Sequence, residues 1–282
     1  MWGSTFVLIK DVVRTMPVLD FLAVRFILAS LILVVIFYPK VRRLPRTTVV
    51  RGLGLGAVYG VAQILQTEGL SRTSASVSGF VTGTYVVLTP LLGLVLLRQK
   101  AGRMTWVAVL LSLGGLAVLS LRGAEVSDGV LLILASAVLY ALHILGLGLW
   151  SFAKDAIGLA AVQMISIAAV CTIGAAPGGI TLPPDGEAWA GTLYTAIGAG
   201  ALAMFLQTWA QAYLTSTRAA IVMTMEPVAA AGFAVAFGEP LTARIIIGGA
   251  LVLAAMYVVE LVPGRSGTAE ESPPREMLHH EV

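Results

Sequence analysis

The sequence has a single cysteine, Cys171, which lies in an apolar stretch without a second cysteine to pair with. An intramolecular disulfide is therefore excluded, and a lone apolar cysteine gives no reason to expect redox chemistry. Histidine is also scarce, since His143 stands alone in an apolar run and His279 and His280 lie in a polar tail. No group has the spacing of a zinc site, so we expect neither a metal nor another cofactor.

The sequence also lacks the short motifs of nucleotide hydrolysis and of hydrolytic enzymes. It contains no GxxxxGK[ST], no GxSxG and no HExxH. An ATP-driven pump or an intramembrane protease would need at least one feature of this kind. We therefore expect a protein that is not an enzyme and that does not use ATP.

Charge is scarce as well, because only 12% of the residues are charged, whereas 58% are hydrophobic and the mean hydropathy is +0.92. No water-soluble fold can bury so much apolar surface, so the expected partner is a lipid bilayer. The apolar runs are about 18 to 21 residues long, enough for a helix to cross roughly 30 Å of hydrocarbon. The ten-residue alternating pattern of a β-barrel is absent. Nine full helical spans are predicted: Val18–Tyr38, Gly52–Leu70, Val77–Leu97, Met104–Leu121, Gly129–Leu149, Ile157–Ala176, Ala190–Ala210, Ala219–Phe237 and Ile245–Val262.

The first ten residues are apolar but have no basic region and no cleavage site, so they are not a signal peptide. They are also too few to span a membrane alone. We interpret them as the second half of a tenth helix whose first half is missing, with a short first helix held by its neighbours as the alternative.

The basic residues are distributed unevenly between the predicted loops. With the N-terminus in the cytoplasm and ten crossings, twelve Lys and Arg residues face the cytoplasm and five face the outer side. This bias predicts that both termini lie in the cytoplasm, in the inner or plasma membrane of a cell. The pI of about 9.2 is then a consequence of topology, and we expect no nucleic-acid partner.

The two halves of the sequence resemble each other weakly. A shift of 141 residues places Gln66 on Gln207 and Tyr85 on Glu226, and a shift of 138 places Trp2 on Tyr140. Five helices per copy is an odd number, so the second copy must have the opposite orientation in the membrane. The predicted fold is therefore an all-α membrane protein with two inverted five-helix repeats, at residues 1–122 and 129–262. Residues 263–282 are predicted to be a disordered cytoplasmic tail.

Glu226 is the strongest functional candidate among the polar residues inside the predicted spans, because Ala219–Phe237 is otherwise apolar. A charged side chain costs about 2.5–3.5 kcal/mol within a bilayer, so its presence needs a reason. Pro227 follows directly and is expected to kink the helix. Two roles stay open for Glu226: a substrate or proton site, or a packing role with Arg25, Gln207 or a loop as its partner.

Arg25 lies seven residues into the span that begins at Val18, too deep for an ordinary surface charge. An internal ion pair or a clamp on helix-end carbonyls is the favoured role, and substrate binding is the alternative.

Several other polar and aromatic residues are expected to meet in a central cavity. Gln63 and Gln66 lie three residues apart and share a helix face. Tyr140 is in the middle of a span, where it is either a cavity residue or a core tyrosine with a bonded hydroxyl. The predicted cavity residues are Gln63, Gln66, Tyr85, Tyr140, His143, Gln207 and Glu226; structural or gating roles are predicted for Trp2, Arg25, Pro227 and Glu239.

Glycines on the helix that carries the glutamines recur every four residues, at Gly52, Gly56 and Gly60. Such a stripe of small residues is typical of close packing between membrane helices.

A series of short motifs extends from Met1 to about Val262. They are Trp2-Gly3-Ser4, Arg25-Phe26, Thr73-Ser74-Ala75-Ser76, Glu226-Pro227, Gly238-Glu239 and Gly248. In this order, over two repeats, they resemble the EamA-type members of the drug/metabolite transporter superfamily. The resemblance implies a secondary transporter, often an exporter of amino acids or other small metabolites, with the substrate in a cavity between the halves. The pair Arg98-Gln99 departs from the Arg-Glu that the family often has there.

Two functional interpretations follow. The first is alternating access of the two halves around the cavity, driven by an ion gradient, with a small molecule as substrate and protons as the candidate coupling ion. The second is a non-transporting membrane sensor or assembly protein, whose polar interior only holds the helices together.

Overall fold

The structure, a computed structural model, describes residues 2–96, 103–122, 125–213, 223 and 225–261. Nearly all of them are helical, and a two-residue antiparallel β-pair joins Leu121–Arg122 to Glu125–Val126. The helices are α1 (Trp2–Val12), α2 (Val18–Val41), α3 (Arg46–Ser71), α4 (Ala75–Gly83), α5 (Tyr85–Leu96), α6 (Arg103–Ser120), α7 (Asp128–Trp150), α8 (Ala156–Ala175), α9 (Gly186–Tyr194), α10 (Ala203–Ala210), α11 (Met225–Ala236) and α12 (Ala243–Leu261). A 3-10 turn at Ala176–Gly178 follows α8, and a π-helical stretch at Thr195–Leu202 joins α9 to α10. The predicted tail lies outside the described residues.

Six helical segments are long and apolar enough to cross a membrane: Val18–Val41, Arg46–Ser71, Ala75–Leu96, Asp128–Trp150, Ala156–Gly178 and Gly186–Ala210. They coincide with six of the nine predicted spans. The other three predicted spans fall on shorter apolar helices, Trp106–Leu119, Met225–Ala236 and Ala243–Val258. Two of these three predicted spans extend into residues outside the described ranges. The ten-helix arrangement in two repeats therefore stays a prediction.

The predicted span Val77–Leu97 is two helices, with Thr84 between them. The N–H of Thr84 donates to the Val81 carbonyl at 3.2 Å, a three-residue step that ends the regular α-helical pattern. The break directly precedes Tyr85, the first residue of α5.

The predicted span Ala190–Ala210 contains the π-helical stretch Thr195–Leu202, where small residues predominate. A π-helix bonds each carbonyl to the N–H five residues on, so its ladder does not match that of the flanking α-helices.

Helices approach each other closely where glycine faces a neighbour. A Cβ at Gly52, Gly56 or Gly60 of α3 would come within 3.0 Å of an atom of α8. In the same way, a Cβ at Gly115 of α6 would lie 2.8 Å from the Gly248 carbonyl oxygen of α12. The predicted glycine stripe on α3 is confirmed as a close-packing face.

The outside of the helix bundle is apolar, and its mainly apolar interior also contains buried polar residues. Val35, Leu110 and Ile173 are 74%, 70% and 72% exposed. Arg25 and Gln163, by contrast, are 3% and 0% exposed. Apolar side chains on the outside together with polar side chains at an internal site are expected when lipid surrounds the molecule.

Candidate functional site

A polar cavity lies among α1, α2, α3, α4, α5, α7, α10 and α11. Its volume is about 40 Å³, which is room for a few water molecules. The lining residues are Trp2, Thr5, Phe6, Ile9, Arg25, Tyr59, Gln63, Gln66, Thr67, Leu70, Thr82, Tyr85, Tyr140, His143, Ile144, Gln207, Met223 and Glu226. The structure thus brings together all seven predicted cavity residues, together with Trp2 and Arg25. Pro227 and Glu239 do not line the cavity.

Gln63 of α3 is the centre of a hydrogen-bond network across the cavity. Its Nε2 donates to the Tyr140 hydroxyl at 2.6 Å, and its Oε1 accepts from Arg25 Nη1 at 3.4 Å. The Tyr140 hydroxyl donates to Gln66 Oε1 at 2.8 Å, and Gln66 Nε2 donates to Thr82 Oγ1 at 3.0 Å. One polar chain therefore connects α2, α3, α7 and α4. Both roles considered for Tyr140 are present, because its bonded hydroxyl also lines the cavity.

Arg25 of α2 is a buried cation held by weak contacts. Its Nε donates to the Thr195 carbonyl at 3.4 Å, and its guanidinium carbon lies 4.7 Å from the centre of the Phe26 ring. This one long bond reaches the start of the π-helical stretch, inside the helical segment Gly186–Ala210 and not at a helix end. Among the carboxylates of the described ranges, none lies within 4.0 Å of Arg25. The internal ion pair that the sequence also suggested is therefore absent from this part of the chain.

Glu226 of α11 accepts a hydrogen bond of 2.8 Å from the Tyr85 hydroxyl. The partners suggested by the sequence were Arg25, Gln207 or a loop, so the observed partner is a different one. Pro227 packs against α4, where a Cβ at Gly83 would lie 3.1 Å from Pro227 Cγ. The predicted kink involves the turn before Pro227, most of which lies outside the described residues.

His143 of α7 is 1% exposed, and its Nε2 lies 2.7 Å from Gln163 Oε1. The ring packs edge-on against Tyr59, with 4.9 Å between the ring centres. Within the described structure, neither His143 Nδ1 nor Gln207 Oε1 has a hydrogen-bond partner. Since an unpaired buried polar atom costs about 1–3 kcal/mol, both atoms can gain from a bound molecule.

Trp2 connects α1 to the π-helical stretch by a hydrogen bond. Its indole Nε1 donates to the Ala199 carbonyl at 3.0 Å, and the Thr5 hydroxyl donates to the Trp2 carbonyl at 2.7 Å. The Ala199 carbonyl of the π-helical stretch thus helps to position one wall of the cavity.

Glu239 lies at the end of the bundle where α1 and α11 end and α4 begins. Its carboxylate accepts from the N–H groups of Ala75 and Ser76 at 2.7 and 3.2 Å and from the Ser76 hydroxyl at 2.9 Å. The Lys10 ammonium lies 3.7 Å away. The first turn of a helix has free N–H donors and favours negative charge. Glu239 therefore connects α1, α4 and the end of α11.

Some site groups were not anticipated. Tyr59 lines the cavity and lies one turn before Gln63 on the same face, a spacing that could have revealed it. The carbonyls of Thr195 and Ala199 have no signal in the sequence, because every residue has a backbone carbonyl and only the fold determines which side chains reach it. Among the described residues, no three His, Cys, Asp or Glu side chains lie together as metal ligands would.

Comparison with known proteins places this arrangement in a family. The sequence model of the EamA-like transporter family matches residues 1–121 and 127–261. The chain belongs to this family. An uncharacterized transporter of Archaeoglobus fulgidus is 30% identical to this EamA-like chain over 267 residues, covering 93% of the chain and 82% of the relative. The uncharacterized transporter YetK of Bacillus subtilis (strain 168) is 30% identical over 131 residues, which are 45% of the chain and 40% of YetK.

A solved structure described as "Crystal structure of protein" has a similar fold. The TM-score is 0.68 at 17% identity, with 92% of this chain and 93% of the other covered. The family and the apolar helices together show that this EamA-like protein is a multi-pass membrane transporter. The family is one of transporters and not of enzymes, and it argues against the alternative of a non-transporting sensor.

Proposed function

We propose that this EamA-like protein is a secondary transporter that exports small zwitterionic metabolites, such as amino acids, by alternating access. One observation carries the proposal. A single cavity is lined by a buried guanidinium, that of Arg25, and by the carboxylate of Glu226, and the two residues belong to different family-matched stretches. Export is the direction that the family resemblance implies.

The charges of the cavity favour a substrate with both signs of charge. Among the described residues, neither Arg25 nor Glu226 lies within 4.0 Å of an opposite charge. A buried charge is costly unless it is paired, so a bound molecule that pairs with it gains affinity. A substrate carboxylate fits the fork of Arg25, and a substrate ammonium group fits Glu226.

The small volume of the cavity supports a mechanism in which helices move. An amino acid needs more space than a few water molecules, so the helices must separate for it to enter. We propose that residues 1–122 and 129–262 move against each other as inverted repeats, with both termini in the cytoplasm of a cell whose plasma or inner membrane holds the protein. Gln66 and Gln207 support this, because they align in the repeat and both line the cavity. Glu239 is the proposed gating contact at one end.

Glu226 is the proposed site of proton coupling. Its carboxylate lies in the cavity and is bonded to a neutral phenol, so a change in its protonation alters the charge presented to the substrate. A proton gradient can thereby replace ATP as the source of energy.

The test is counterflow in proteoliposomes, in which the internal unlabelled solute exchanges with the same labelled solute outside. Labelled L-amino acids are screened against nucleosides and cationic drugs. We expect exchange of at least one amino acid and its loss in Arg25→Gln. The matched control is Arg14→Gln, because Arg14 is exposed and contacts Asp11 away from the cavity. The proposal fails if no zwitterion is exchanged or if Arg25→Gln exchanges as well as the control.

A further inference from the structure

In the neutral form of the His143 ring, the amide of Gln163 determines which nitrogen carries the hydrogen. Gln163 Nε2 lies 3.3 Å from the Leu159 carbonyl oxygen, which can only accept, so the amide nitrogen must face that oxygen. The amide oxygen then faces His143 Nε2 at 2.7 Å, and Nε2 must carry the hydrogen. His143 Nδ1 is therefore a bare acceptor, and it has no partner in the described part of the chain.

Gln207 is oriented in the same way by Gln211. Gln211 Nε2 donates to the Ile144 carbonyl at 3.3 Å, so Gln211 Oε1 is the atom that accepts from Gln207 Nε2 at 3.3 Å. Gln207 Oε1 is consequently an acceptor, and the described structure gives it no donor. In both cases a backbone carbonyl determines the orientation, since flipping the amide would place two acceptors against each other.

His143 and Gln207, the residues that carry the two unpaired atoms, line the same cavity. We propose that His143 Nδ1 and Gln207 Oε1 are a selectivity pair that recognises the N–H groups of the substrate, so that a primary ammonium group binds and its fully methylated form is rejected. The inference rests on the proposed transport function and names the substrate group that His143 and Gln207 recognise.

Two unpaired acceptors distinguish ligands by the number of N–H donors that each ligand has. A primary ammonium group has three N–H donors, enough for both members of the pair and for the Glu226 carboxylate in the same cavity. A trimethylammonium group has none and leaves both members of the pair unpaired. We expect a loss of about tenfold in affinity for each acceptor that stays unpaired.

Binding is measured separately from flux, as ligand-induced thermal stabilisation of the purified full-length protein in detergent. The probes are L-leucine, L-phenylalanine and L-threonine, each compared with its N-methyl, N,N-dimethyl and N,N,N-trimethyl derivatives. The expected affinity falls stepwise with methylation, by about a hundredfold over the series.

Three substitutions show whether the pair causes this difference. Gln207→Leu removes one acceptor and should weaken binding of the primary amine about tenfold, while binding of the trimethyl form stays unchanged. Gln207→Glu in its protonated form keeps an acceptor oxygen and a donor towards Gln211 Oε1, and it should preserve the preference. His143→Phe keeps a ring against Tyr59 and should act like Gln207→Leu; if it does not fold, the Gln207 variants decide. The control is Leu206→Ile, one position earlier in α10 and outside the cavity lining.

The inference is overturned if the trimethyl and primary forms bind equally, or if Gln207→Leu leaves their ratio unchanged, because crowding alone would then explain any preference. If no amino acid binds, the proposed substrate class is wrong. The pair is then tested in the same assay with n-hexylamine against hexyltrimethylammonium. A preference for the primary amine that Gln207→Leu removes supports the inference, and equal or absent binding of both overturns it.

Discussion

Tyr85 donates a 2.8 Å hydrogen bond to Glu226, which lies 141 positions further along the chain. The same shift of 141 residues aligns the two halves of the sequence and places Tyr85 on Glu226. Positions that are equivalent in a two-fold arrangement contact each other only close to the axis. The bond therefore supports the proposed inverted repeat, with its axis passing through the cavity.

Replacing Glu226 with Gln separates proton coupling from substrate exchange. The amide keeps the shape of the side chain and can still accept from Tyr85, but it cannot titrate. We expect Glu226→Gln to reach the membrane, to lose transport driven by a proton gradient and to retain exchange. The measurements are flux with an imposed pH gradient and counterflow, each over a range of pH.

Glu226→Ala is the comparison for this variant. It leaves the Tyr85 hydroxyl without its acceptor, at a cost of about 1–3 kcal/mol, so its melting temperature should fall below that of Glu226→Gln. Normal gradient-driven transport by Glu226→Gln with an unchanged pH profile would rule out coupling. Failure of that variant to accumulate would instead favour a packing role.

Removing the Glu239 carboxylate should loosen the end of the bundle that it connects. Glu239→Ala loses the bonds to Ala75 and Ser76, whereas Glu239→Gln keeps an acceptor and should be intermediate. Each variant also carries Thr5→Cys and Cys171→Ser. The measurement is the rate at which an impermeant maleimide labels the cysteine that replaces Thr5. We expect labelling to be several-fold faster in Glu239→Ala.

The control for the Glu239 variants is Asp11→Asn, because Asp11 lies near the same end and its ion pair with Arg14 is exposed. Equal labelling rates in Glu239→Ala and Asp11→Asn would contradict the gating role of Glu239.

A methyl group at Gly79 should separate α4 from α11. A Cβ there would lie 2.5 Å from the Ala230 Cβ, and overpacking of this kind costs about 1–3 kcal/mol. Gly54→Ala is the matched control, because nothing lies within 4 Å of a Cβ at Gly54 and alanine is the better helix former. Thermal unfolding in detergent should show a lower melting temperature for Gly79→Ala only. Equal melting temperatures would show that α4 and α11 can accommodate the added methyl group without a loss of stability.

The predicted topology is tested by reporters fused to the C-terminus. The split of twelve basic residues to five predicts that a fusion there is active only when the reporter functions in the cytoplasm. Activity confined to a reporter that works on the outer side would overturn the topology and the assignment of the halves.

The membrane character of the chain and its main polar residues were predictable from the sequence. Burial in lipid is a local requirement, because each span must be apolar along its own length, and six predicted spans coincide with helices of sufficient length. The same requirement makes Arg25, Gln63, Gln207 and Glu226 conspicuous, since a polar side chain in a span needs a reason. Their common location in one cavity was predicted, because polar side chains within membrane spans are expected to face the interior of the bundle.

The partners of these residues were decided only by the tertiary structure. Arg25 donates to the Thr195 carbonyl 170 positions away, and Glu226 accepts from Tyr85 instead of pairing with Arg25. Both contacts lie at departures from regular helix, the break at Thr84 and the π-helical stretch at Thr195–Leu202. Such departures turn a helix face by a fraction of a turn relative to its neighbours, and local hydrophobicity contains no information about that rotation. The rotation of each helix is determined by its packing against the neighbouring helices, and this packing depends on the side chains of all of them together.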